Sequence, residues 1–365
     1  MRLRIGALPA LTSFYRCDSV QLYTMTASAF DANAFASALV TSAVGQRLEY
    51  RASTSSTMTI ADEVLRAEGA AAAHGLVVLA ETQTAGVGRR GRAWQSAADG
   101  NLYFSLVWSP RAQGLAAMMP EMVRLNLAAG VAVVRACADA GVPSARIKWP
   151  NDVWAGDPAR KLSGTILNFN GADAAVLGVG INVLQTSRPA VLVNATSITS
   201  ELQAAGAAAP PSREAVLATF CSELERLMAL PPGFTRSTTG CTVGRARANH
   251  RLRRAGLGRT GANLWGRPGA LVSLGCTLAA TWSCVALCEL QALSTEGVLD
   301  EYRTCDLLAG RGVRVHHRSR EEDDPRDYEA LVLGVDPQGM LCVRRPDGTE
   351  QQLSGEEVSI TPRDV

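Results

Sequence analysis

The sequence predicts an α+β protein, with a mixed central β-sheet flanked by helices and a small antiparallel β-barrel at the C-terminal end. Between residues 49 and 232, apolar runs of strand length are interspersed with amphipathic stretches of helix length. This pattern is typical of a sheet covered by helices. Residues 307–361 instead contain short strands joined by turn-forming sequences, as in a small barrel. A chain of 365 residues that is 47% hydrophobic can form two or three domains.

The overall charge and the cysteine pattern exclude several classes of protein. A net charge of +2 does not indicate a polyelectrolyte partner such as duplex DNA. The nine cysteines form no CxxC pair, their number is odd, and the four histidines do not cluster with them. We therefore expect neither a disulfide framework nor a zinc site. A reducing compartment, the cytoplasm, fits this composition best.

The chain divides into four predicted segments: an N-terminal extension (1–48), a catalytic-size domain (49–232), an insert (233–294) and the C-terminal barrel domain (295–365). Three arginines precede the first acidic residue, Asp18, which weakly resembles a mitochondrial presequence. A disordered extension is the alternative that we favour. A mitochondrial location therefore stays open beside the cytoplasmic one.

The insert breaks the pattern of the flanking segments. Residues 233–292 hold eight arginines and one acidic residue, Glu289, with little periodicity. Residues 268–288 carry no charge over 21 positions, a length that could span a membrane as a helix. The Gly, Ser, Thr and Pro in that stretch favour a poorly packed insert instead, and an artefact of the gene model is a third interpretation.

Periodicity predicts the individual elements. In the catalytic-size domain we expect helices over 57–68, 120–141 and 211–233, the second beginning at Pro120 and the third capped by Ser212. We expect strands over 75–80, 101–108, 163–170 and 174–183. In the barrel, "GRGVRVHHRSR", "YEALVLGVDPQGMLCVRRPDGTEQQL" and "EEVSI" predict short strands, with turns at "DPQG" and "RPDG".

The stretch "KWPNDVWAGDPARKLSG", residues 148–164, contains Lys148 and Lys161, and the chain has no other lysine. Every other residue among the 36 Lys and Arg is arginine. A lysine is a compact, mobile point charge, whereas an arginine is a wide planar fork. The two lysines therefore suggest sites at which a guanidinium does not fit, with chance in an Arg-rich composition as the alternative.

The stretch "ETQTAGVGRRGRAWQSAADGN", residues 81–101, literally satisfies GxGxxG through Gly86, Gly88 and Gly91. A dinucleotide-binding fingerprint needs those glycines to lead directly from a strand into a helix. No helical period follows them, so we reject that interpretation. The same residues predict a flexible cationic loop able to fold over an anion, and an exposed basic loop or a nucleic-acid contact is the alternative.

Four stretches taken together resemble biotin protein ligases in order and approximate spacing. They are "SST" (55–57), "QTAGVGRRGRAW" (83–94), "KWPND" with "RKLSG" (148–164) and "GVGIN" (178–182). The resemblance covers residues 50–230 and the barrel. It implies a catalytic domain like that of class II aminoacyl-tRNA synthetases and a barrel like that of Src-homology-3 domains. It also implies a two-step activity, in which ATP activates biotin to biotinyl-5'-AMP and the biotinyl group passes to a lysine of a carboxylase carrier domain.

The resemblance also implies the site residues. The catalytic residues would be Lys161, Arg89 and Asp152, with Asp152 the ligand of magnesium. The biotin-binding residues would be Ser56, Thr57, Gln83, Gly86, Gly88, Arg89, Lys161, Gly164, Gly178 and Gly180. The ATP-binding residues would be Arg89, Arg90, Arg92, Trp94, Lys148, Asn151, Asp152, Lys161 and Asn182. The cofactors would be ATP and magnesium with biotin as substrate, and the partners would be biotin carboxyl carrier domains.

Two positions depart from the family pattern. Val87 stands where the loop often has arginine, and Met58 stands where many members have asparagine. No helix-turn-helix segment precedes residue 50, so we expect no nucleic-acid partner and no repressor role; we also expect no membrane partner. A homodimer is left open. The alternatives to a biotin ligase are a lipoate or octanoate ligase of the same fold and a non-catalytic nucleic-acid or small-molecule binder that uses the basic loop.

Overall fold

The computed structural model describes residues 29–96, 100–109, 115–170, 173–186, 194–207, 212–229, 295–317, 324–355 and 358–362. Residues 1–28 of the predicted extension and the whole predicted insert, 233–294, lie outside these ranges. The uncharged stretch 268–288 lies there too. Within the residues described, no helix is both long enough and apolar enough to cross a membrane.

The larger of two sheets has seven strands in the order β1-β2-β3-β7-β6-β5-β4. Only β1 and β2 pair in parallel, and the other neighbours are antiparallel, so the sheet is mixed as predicted. The strands are β1 (Leu48–Thr54), β2 (Val77–Gln83), β3 (Leu102–Trp108), β4 (Arg146–Lys148), β5 (Asp152–Ala155), β6 (Arg160–Asn170) and β7 (Ala174–Ile181). Every residue of β3 and β7 is buried, which explains why both are continuous apolar runs.

Helices cover both faces of this sheet. They are α1 (Ala32–Ala38), α2 (Thr57–Glu68), α3 (Ala70–Ala73), α4 (Leu115–Asp139), α5 (Ile198–Ala204), α6 (Arg213–Ala229) and α7, residues 295–305. The long helices α4 and α6 pack on each other and on one face, where Leu125, Phe220 and Leu224 are fully buried. On the other face, α2 buries Met58, Ala61 and Leu65 in a smaller cluster.

The ends of α2 and α6 follow from their capping residues. The Ser56 hydroxyl accepts a hydrogen bond from the Met58 N–H, 3.3 Å away, and Gly69 ends α2 with φ +86°. The Ser212 hydroxyl accepts from the Ala215 N–H at 3.2 Å, which confirms the predicted cap of α6. The predicted start of α4 is wrong, because the helix already includes Leu115 and Pro120 lies inside it. A proline that far into a helix costs one intrahelical hydrogen bond, so it is an unreliable marker of the first residue.

Residues 29–48, predicted as part of a disordered extension, are folded. The Asp31 carboxylate caps α1 by accepting from the N–H groups of Asn33 and Ala34, at 2.9 and 3.0 Å. Phe30, Phe35 and Val44 are buried in the main core. The Arg213 guanidinium is also buried, and its Nη1 lies 2.7 Å from one carboxylate oxygen of Glu81. The other oxygen of Glu81 accepts a hydrogen bond from the Phe30 N–H at 2.8 Å. Local sequence could not predict this segment, because the residues that hold it are distant in the chain.

The C-terminal sheet has five antiparallel strands in the order β11-β10-β9-β8-β12, as predicted. They are β8 (Gly312–His316), β9 (Tyr328–Val335), β10 (Leu341–Arg344), β11 (Glu350–Leu353) and β12 (Ser359–Pro362). Gly339 of "DPQG" and Gly348 of "RPDG" both have positive φ, which confirms those two turns.

The residues before this sheet do not belong to a barrel. Helix α7 packs Val298, Leu299 and Tyr302 into the main core, and Glu301 pairs with Arg226 of α6 at 2.9 Å. The C-terminal sheet is attached to the edge of the larger one. The Leu307 N–H donates to the Ile147 carbonyl at 2.8 Å, and the Trp149 indole N–H donates to the Gly339 carbonyl at 3.0 Å.

Glu225 fastens the folded N-terminal segment to α6, which gives a testable consequence. Its carboxylate accepts from the N–H groups of Ser42, Ala43 and Val44 at 2.6 to 2.8 Å. Burial by itself raises the pKa of Glu225, but these N–H groups outweigh it and hold the pKa below its ordinary value. The stabilisation is therefore present above the pKa that the carboxyl has in the unfolded chain, and it is lost as pH falls through the lower folded value.

We expect Glu225→Gln to lower the free energy of unfolding at pH 7 by about 1 kcal/mol, a value that allows for solvent screening. The difference from wild type should begin to shrink as pH falls below about 4.3, the ordinary pKa of a glutamate in the unfolded chain, and should vanish once the folded wild-type carboxyl takes up its proton at a lower pH. Urea unfolding between pH 3.5 and pH 7 measures this, with Glu63→Gln on the exposed face of α2 as the control. A difference that did not change with pH would contradict the assignment.

Candidate active site

A cavity of about 220 Å³ lies over the larger sheet, between the loop that follows β2 and the C-terminal sheet. The predicted site residues that line it are Ser56, Thr57, Gln83, Gly88, Arg89, Arg90, Arg92, Trp94, Lys148, Asn151, Asp152, Lys161, Gly164, Gly178 and Gly180. The structure thus brings together four stretches that are far apart in the chain. Two predicted residues, Gly86 and Asn182, do not line the cavity.

The centre of the cavity is an ion pair between Lys161 and Asp152, with Nζ and Oδ1 2.7 Å apart. Both residues lie on the antiparallel β5–β6 hairpin, where Asp152 pairs with Gly164 and Lys161 with Trp154. The Asp152 side chain keeps 21% of its accessible surface, and the Lys161 side chain keeps 34%. The ammonium group is therefore accessible from the cavity while the carboxylate fixes its position.

Trp94 lies on the floor of the cavity, over the glycines of the sheet. A Cβ added to Gly180 would lie 2.4 Å from Cζ2 of the indole, and one added to Gly164 would lie 3.1 Å from Cζ3. Both glycines are therefore required for the close approach of the ring. The Lys161 Nζ lies 5.2 Å from the ring centroid, within range of a cation–π contact. Among the residues described, the buried indole N–H has no hydrogen-bond partner.

The cationic loop forms a small hairpin and does not lead into an α-helix, as expected of a loop that is not a dinucleotide-binding fingerprint. The Trp94 N–H donates to the Gly86 carbonyl at 2.9 Å, and the Gly88 N–H donates to the Arg92 carbonyl at 2.7 Å. Arg90, at the tip, has φ +57° and ψ +33°, a left-handed conformation that is uncommon outside glycine. Gly86 serves the hairpin, because a Cβ there would lie 2.6 Å from the Trp94 carbonyl oxygen.

Two arginines of this hairpin reach the rest of the site. Arg89 donates to the Asn151 side-chain oxygen at 3.1 Å and to the Gly355 carbonyl at 2.7 Å. Arg90 donates to the Ser359 hydroxyl and to the Val358 carbonyl, both at 3.0 Å. The loop therefore connects "KWPND" to the C-terminal sheet and encloses the cavity from the side.

A chain of polar side chains forms one end of the cavity. The Gln83 side-chain oxygen accepts from the Thr57 N–H at 2.9 Å, and its amide donates to the Ser96 hydroxyl at 3.0 Å. The Thr57 hydroxyl lies 2.8 Å from the hydroxyl of Ser105, which is fully buried. Sequence reasoning missed Ser96 and Ser105. A hydroxyl at position 105, in the middle of an otherwise apolar strand, was the signal that could have found the second.

The remaining predicted residues are held mainly by the main sheet. The Asn151 amide donates to the Thr165 carbonyl at 2.5 Å, which orients its oxygen toward Arg89. Lys148 is 3% exposed, and its Nζ lies 4.5 Å from the centroid of the Trp154 ring. Asn182 donates to the Thr196 carbonyl at 2.9 Å instead of entering the cavity. Its expected contact with a nucleotide stays a prediction.

Several lining residues were not predicted. Met58 and Ile166 form an apolar wall near Gly178, where an added Cβ would lie 2.9 Å from the Met58 sulfur. Gly355, Val358, Ser359 and Ile360 contribute from the C-terminal sheet. No local motif marks these last four residues, because they reach the cavity only through the docking of one sheet on the other.

The fit of a magnesium ion depends on Asp152. Within the residues described, no group of three or more His, Cys, Asp or Glu side chains converges on one point. The protein part of such a site would be one carboxylate. Magnesium is commonly bound by one or two carboxylates together with phosphate oxygens of a substrate, so this donor set fits an ion that arrives with a nucleotide.

Comparison with known proteins agrees with the resemblance seen in the sequence. Residues 50–182 match the model of the Biotin/lipoate A/B protein ligase family. The bifunctional ligase/repressor BirA of Escherichia coli (strain K12) is 40% identical over 132 residues, which are 35% of this chain and 38% of that protein. The biotin–[acetyl-CoA-carboxylase] ligase of Mycobacterium tuberculosis is 37% identical over 183 residues, which are 49% of this chain and 63% of that protein. The chain therefore spans less than two thirds of the length of these relatives.

The fold is also similar to a solved structure. The biotin protein ligase from Aquifex aeolicus in complex with biotin and ATP has a TM-score of 0.54 and 18% identity, and the alignment covers 87% of this chain and 99% of that one. At this identity the similarity is one of fold. It confirms the predicted α+β class, with a mixed sheet, flanking helices and a second small β domain.

The contact between Trp94 and Gly180 can be tested directly. We expect Gly180→Ala to lower the free energy of unfolding by about 1–3 kcal/mol, because the new methyl group overlaps the indole. In a Trp94→Ala background the same substitution should be nearly neutral, since the overlapping ring is absent. Urea unfolding of the four chains measures the coupling. Equal effects in both backgrounds would show that the ring does not lie over Gly180.

Proposed function

We propose that the chain is a biotin protein ligase, which activates biotin with ATP and transfers it to a lysine of a carrier domain. The observation that carries the proposal is the Lys161–Asp152 pair, 2.7 Å apart, in a cavity lined by sheet glycines and bounded by loop arginines. This combination suits a reaction between two anions. It supplies positive charge where they meet and allows close approach to the backbone.

In the first step, an oxygen of the biotin carboxylate attacks the α-phosphorus of ATP. A new O–P bond forms, the bond to the bridging oxygen breaks, and pyrophosphate leaves with the electron pair. No proton transfer is required, so the protein acts by placing charge and holding the reactants in line. Lys161 is the group between the carboxylate and the α-phosphate, because a narrow ammonium can donate to oxygens of both.

In the second step, the ε-amine of an acceptor lysine attacks the acyl carbon of biotinyl-AMP. An amide bond forms, AMP leaves as an anion, and the amine loses a proton. The partner would be the biotin carboxyl carrier domain of a carboxylase. The name of the Mycobacterium tuberculosis relative, a biotin–[acetyl-CoA-carboxylase] ligase, supports this class of substrate.

The two ends of the cavity suggest where each reactant lies. The polar side chains of Ser56, Thr57 and Gln83 suit the ureido ring of biotin, which has both hydrogen-bond donors and acceptors. The sheet glycines and Met58 suit its apolar part. The cationic side, with Arg89, Arg90, Arg92, Lys148 and Asn151, suits the triphosphate and ribose. Trp94 offers an aromatic surface to the adenine.

Asp152 remains the residue that would hold magnesium, together with phosphate oxygens. The ion would neutralise part of the triphosphate charge when it is bound. The carboxylate also pairs with Lys161, so the magnesium ion and the lysine ammonium would both depend on the Asp152 side chain.

Pyrophosphate release is the direct test of the proposed function. With ATP and magnesium, the wild-type chain should release pyrophosphate when biotin is present. It should also label a carrier domain with tritiated biotin. Parallel reactions with lipoate or octanoate test the alternative within the same fold. Pyrophosphate release with those acids but not with biotin would replace the proposal, and release with none of them would refute ligase activity.

Lys161→Arg should lower biotin-dependent pyrophosphate release at least about 100-fold, the order of losing one transition-state donor. The wider guanidinium cannot occupy the gap between two anions and retain the contact with Asp152. Arg66→Lys, on the exposed face of α2, is the control for a change between the two cation types. Near-normal release by Lys161→Arg would remove the proposed role.

Arg89→Gly should retain adenylate synthesis but release the intermediate. The substitution removes the bonds to Asn151 and Gly355 that hold the loop across the cavity, so water and other nucleophiles gain access. The expected signature is biotin on lysines of bystander serum albumin. Arg66→Gly on α2 is the control, and strict target specificity of the Arg89 variant would contradict the loop's protective role.

A further inference from the structure

Lys161 lies at an irregular point of the sheet, which leaves its backbone dependent on residues outside the β5–β6 ladder. The register of the two strands shifts between Val153 and Trp154, and Trp154 is the partner of Lys161. Ladder hydrogen bonds are disrupted at such a bulge. A cation that must sit between two anions therefore needs another source of rigidity at this position.

The segment 194–196 supplies that rigidity through backbone hydrogen bonds. The Lys161 N–H donates to the Asn194 carbonyl, and the Thr196 N–H donates to the Lys161 carbonyl, both at 2.8 Å. Both backbone groups of Lys161 are thus satisfied by one short segment. Its position in turn depends on what holds Thr196, a residue with 2% exposure.

Glu201 of α5 is the residue that holds Thr196 from the other side. Its carboxylate accepts from the Thr196 hydroxyl and from a guanidinium nitrogen of Arg160, the second at 3.1 Å. Its other oxygen lies against the turn between β5 and β6, where a Cβ added to Gly156 would be 2.6 Å away. The side chain of Glu201 is 9% exposed, so the contacts are shielded from water.

We propose that Glu201 is a positioning residue for Lys161: it fastens the β5–β6 hairpin and the segment 194–196 to one carboxylate, and so fixes the lysine ammonium relative to Asp152. Glu201 lines no part of the cavity and does not touch a reactant there. Its effect on the reaction rests on the proposed function, whereas its effect on the lysine side chain does not.

The lysine content of the chain gives a readout that is independent of activity. Because Lys148 and Lys161 are the only two lysines, a protein labelled with ¹³Cε-lysine gives two side-chain signals, and Lys148 is an internal reference. We expect Glu201→Ala to move and broaden the Lys161 signal and to change its rate of acylation by a water-soluble succinimidyl ester about 10-fold, the scale of a lost positioning contact. The Lys148 signal and rate should stay as in wild type. Peptide mass spectrometry measures the two rates separately.

The activity arm uses a double-mutant cycle. Glu201→Ala should lower kcat for biotin-dependent pyrophosphate release about 10- to 100-fold, with a smaller change in KM for ATP. In a Lys161→Met background, adding Glu201→Ala should change the residual rate less than about 2-fold, because the residue through which it acts is already absent. If Glu201 contributed only to the general stability of the fold, the losses from Glu201→Ala and Lys161→Met would instead multiply.

Four further variants keep the result interpretable. Glu201→Gln retains an acceptor and the side-chain volume, so it should lose less than Glu201→Ala and serves if the alanine variant does not fold. Thr196→Ser retains the hydroxyl and should resemble wild type, whereas Thr196→Val should resemble Glu201→Gln. Glu223→Ala removes a carboxylate that pairs with Arg226 at 2.7 Å, away from the cavity, and controls for loss of an ion pair.

Unchanged Lys161 signals and labelling in both Glu201 variants would overturn the proposal, whatever happens to activity. Losses that multiply in the Lys161→Met background would also overturn it. Absence of biotin-dependent pyrophosphate release by the wild-type chain would refute the proposed ligase function instead, and the comparison of the two lysines would still decide whether Glu201 positions Lys161.

Discussion

The ion pair between Lys161 and Asp152 is the contact on which the arrangement of the cavity depends. An ammonium and a carboxylate 2.7 Å apart can lie at the floor of a polar cavity only if the two strands that carry them are held in one register. The hairpin that joins β5 and β6 provides that register, although its ladder is irregular beside Lys161. The rest of the site surrounds this pair. The Trp94 ring lies next to the lysine and over Gly164 and Gly180, and the loop arginines enclose the cavity from the side.

The two sheets act together because the cationic loop is bonded to both. Arg89 contacts Asn151 of the larger sheet's edge and Gly355 of the smaller sheet's connecting segment. The Leu307–Ile147 and Trp149–Gly339 hydrogen bonds attach the smaller sheet close to the same place. A cavity wall is thus shared between parts of the chain that are separated by more than a hundred residues. Under the proposed function, the loop would protect the intermediate only while this attachment holds.

Much of the fold and of the site could be predicted from sequence where the signal is local. Helix α2, strands β3 and β7 and the turns at Gly339 and Gly348 follow from periodicity, caps and turn residues within a few positions. Lys161 and Asp152 were both named through the resemblance, but the ion pair between them was not predicted. Residues 29–48 could not be predicted, since Phe35 and Val44 are ordered by contacts with α6, about 180 positions away.

The same reasoning explains where the site differs from the expected arrangement. The Asn182 amide is bonded to the Thr196 carbonyl, outside the cavity. Ser359 reaches the cavity only through tertiary packing, whereas Ser96 and Ser105 lie behind it, bonded to Gln83 and Thr57. Conversely, the use of only two lysines in the whole chain is visible without any structure, and both of these lysines line the cavity. The residues 268–288 and the N-terminal presequence pattern lie outside the described ranges, so those expectations stay predictions.

The scarcity of lysine has a consequence for a protein that would make a reactive mixed anhydride. Acyl-adenylates modify primary amines, and an enzyme that generates them is exposed to its own product at the highest local concentration. Here one ε-amine is buried beside an indole and the other is engaged by a carboxylate, while all remaining side-chain cations are guanidiniums, which are poor nucleophiles at neutral pH. The chain therefore presents almost no targets for auto-acylation beyond its N-terminal amine. Such a composition would let escaped intermediate reach other molecules without consuming the catalyst that made it.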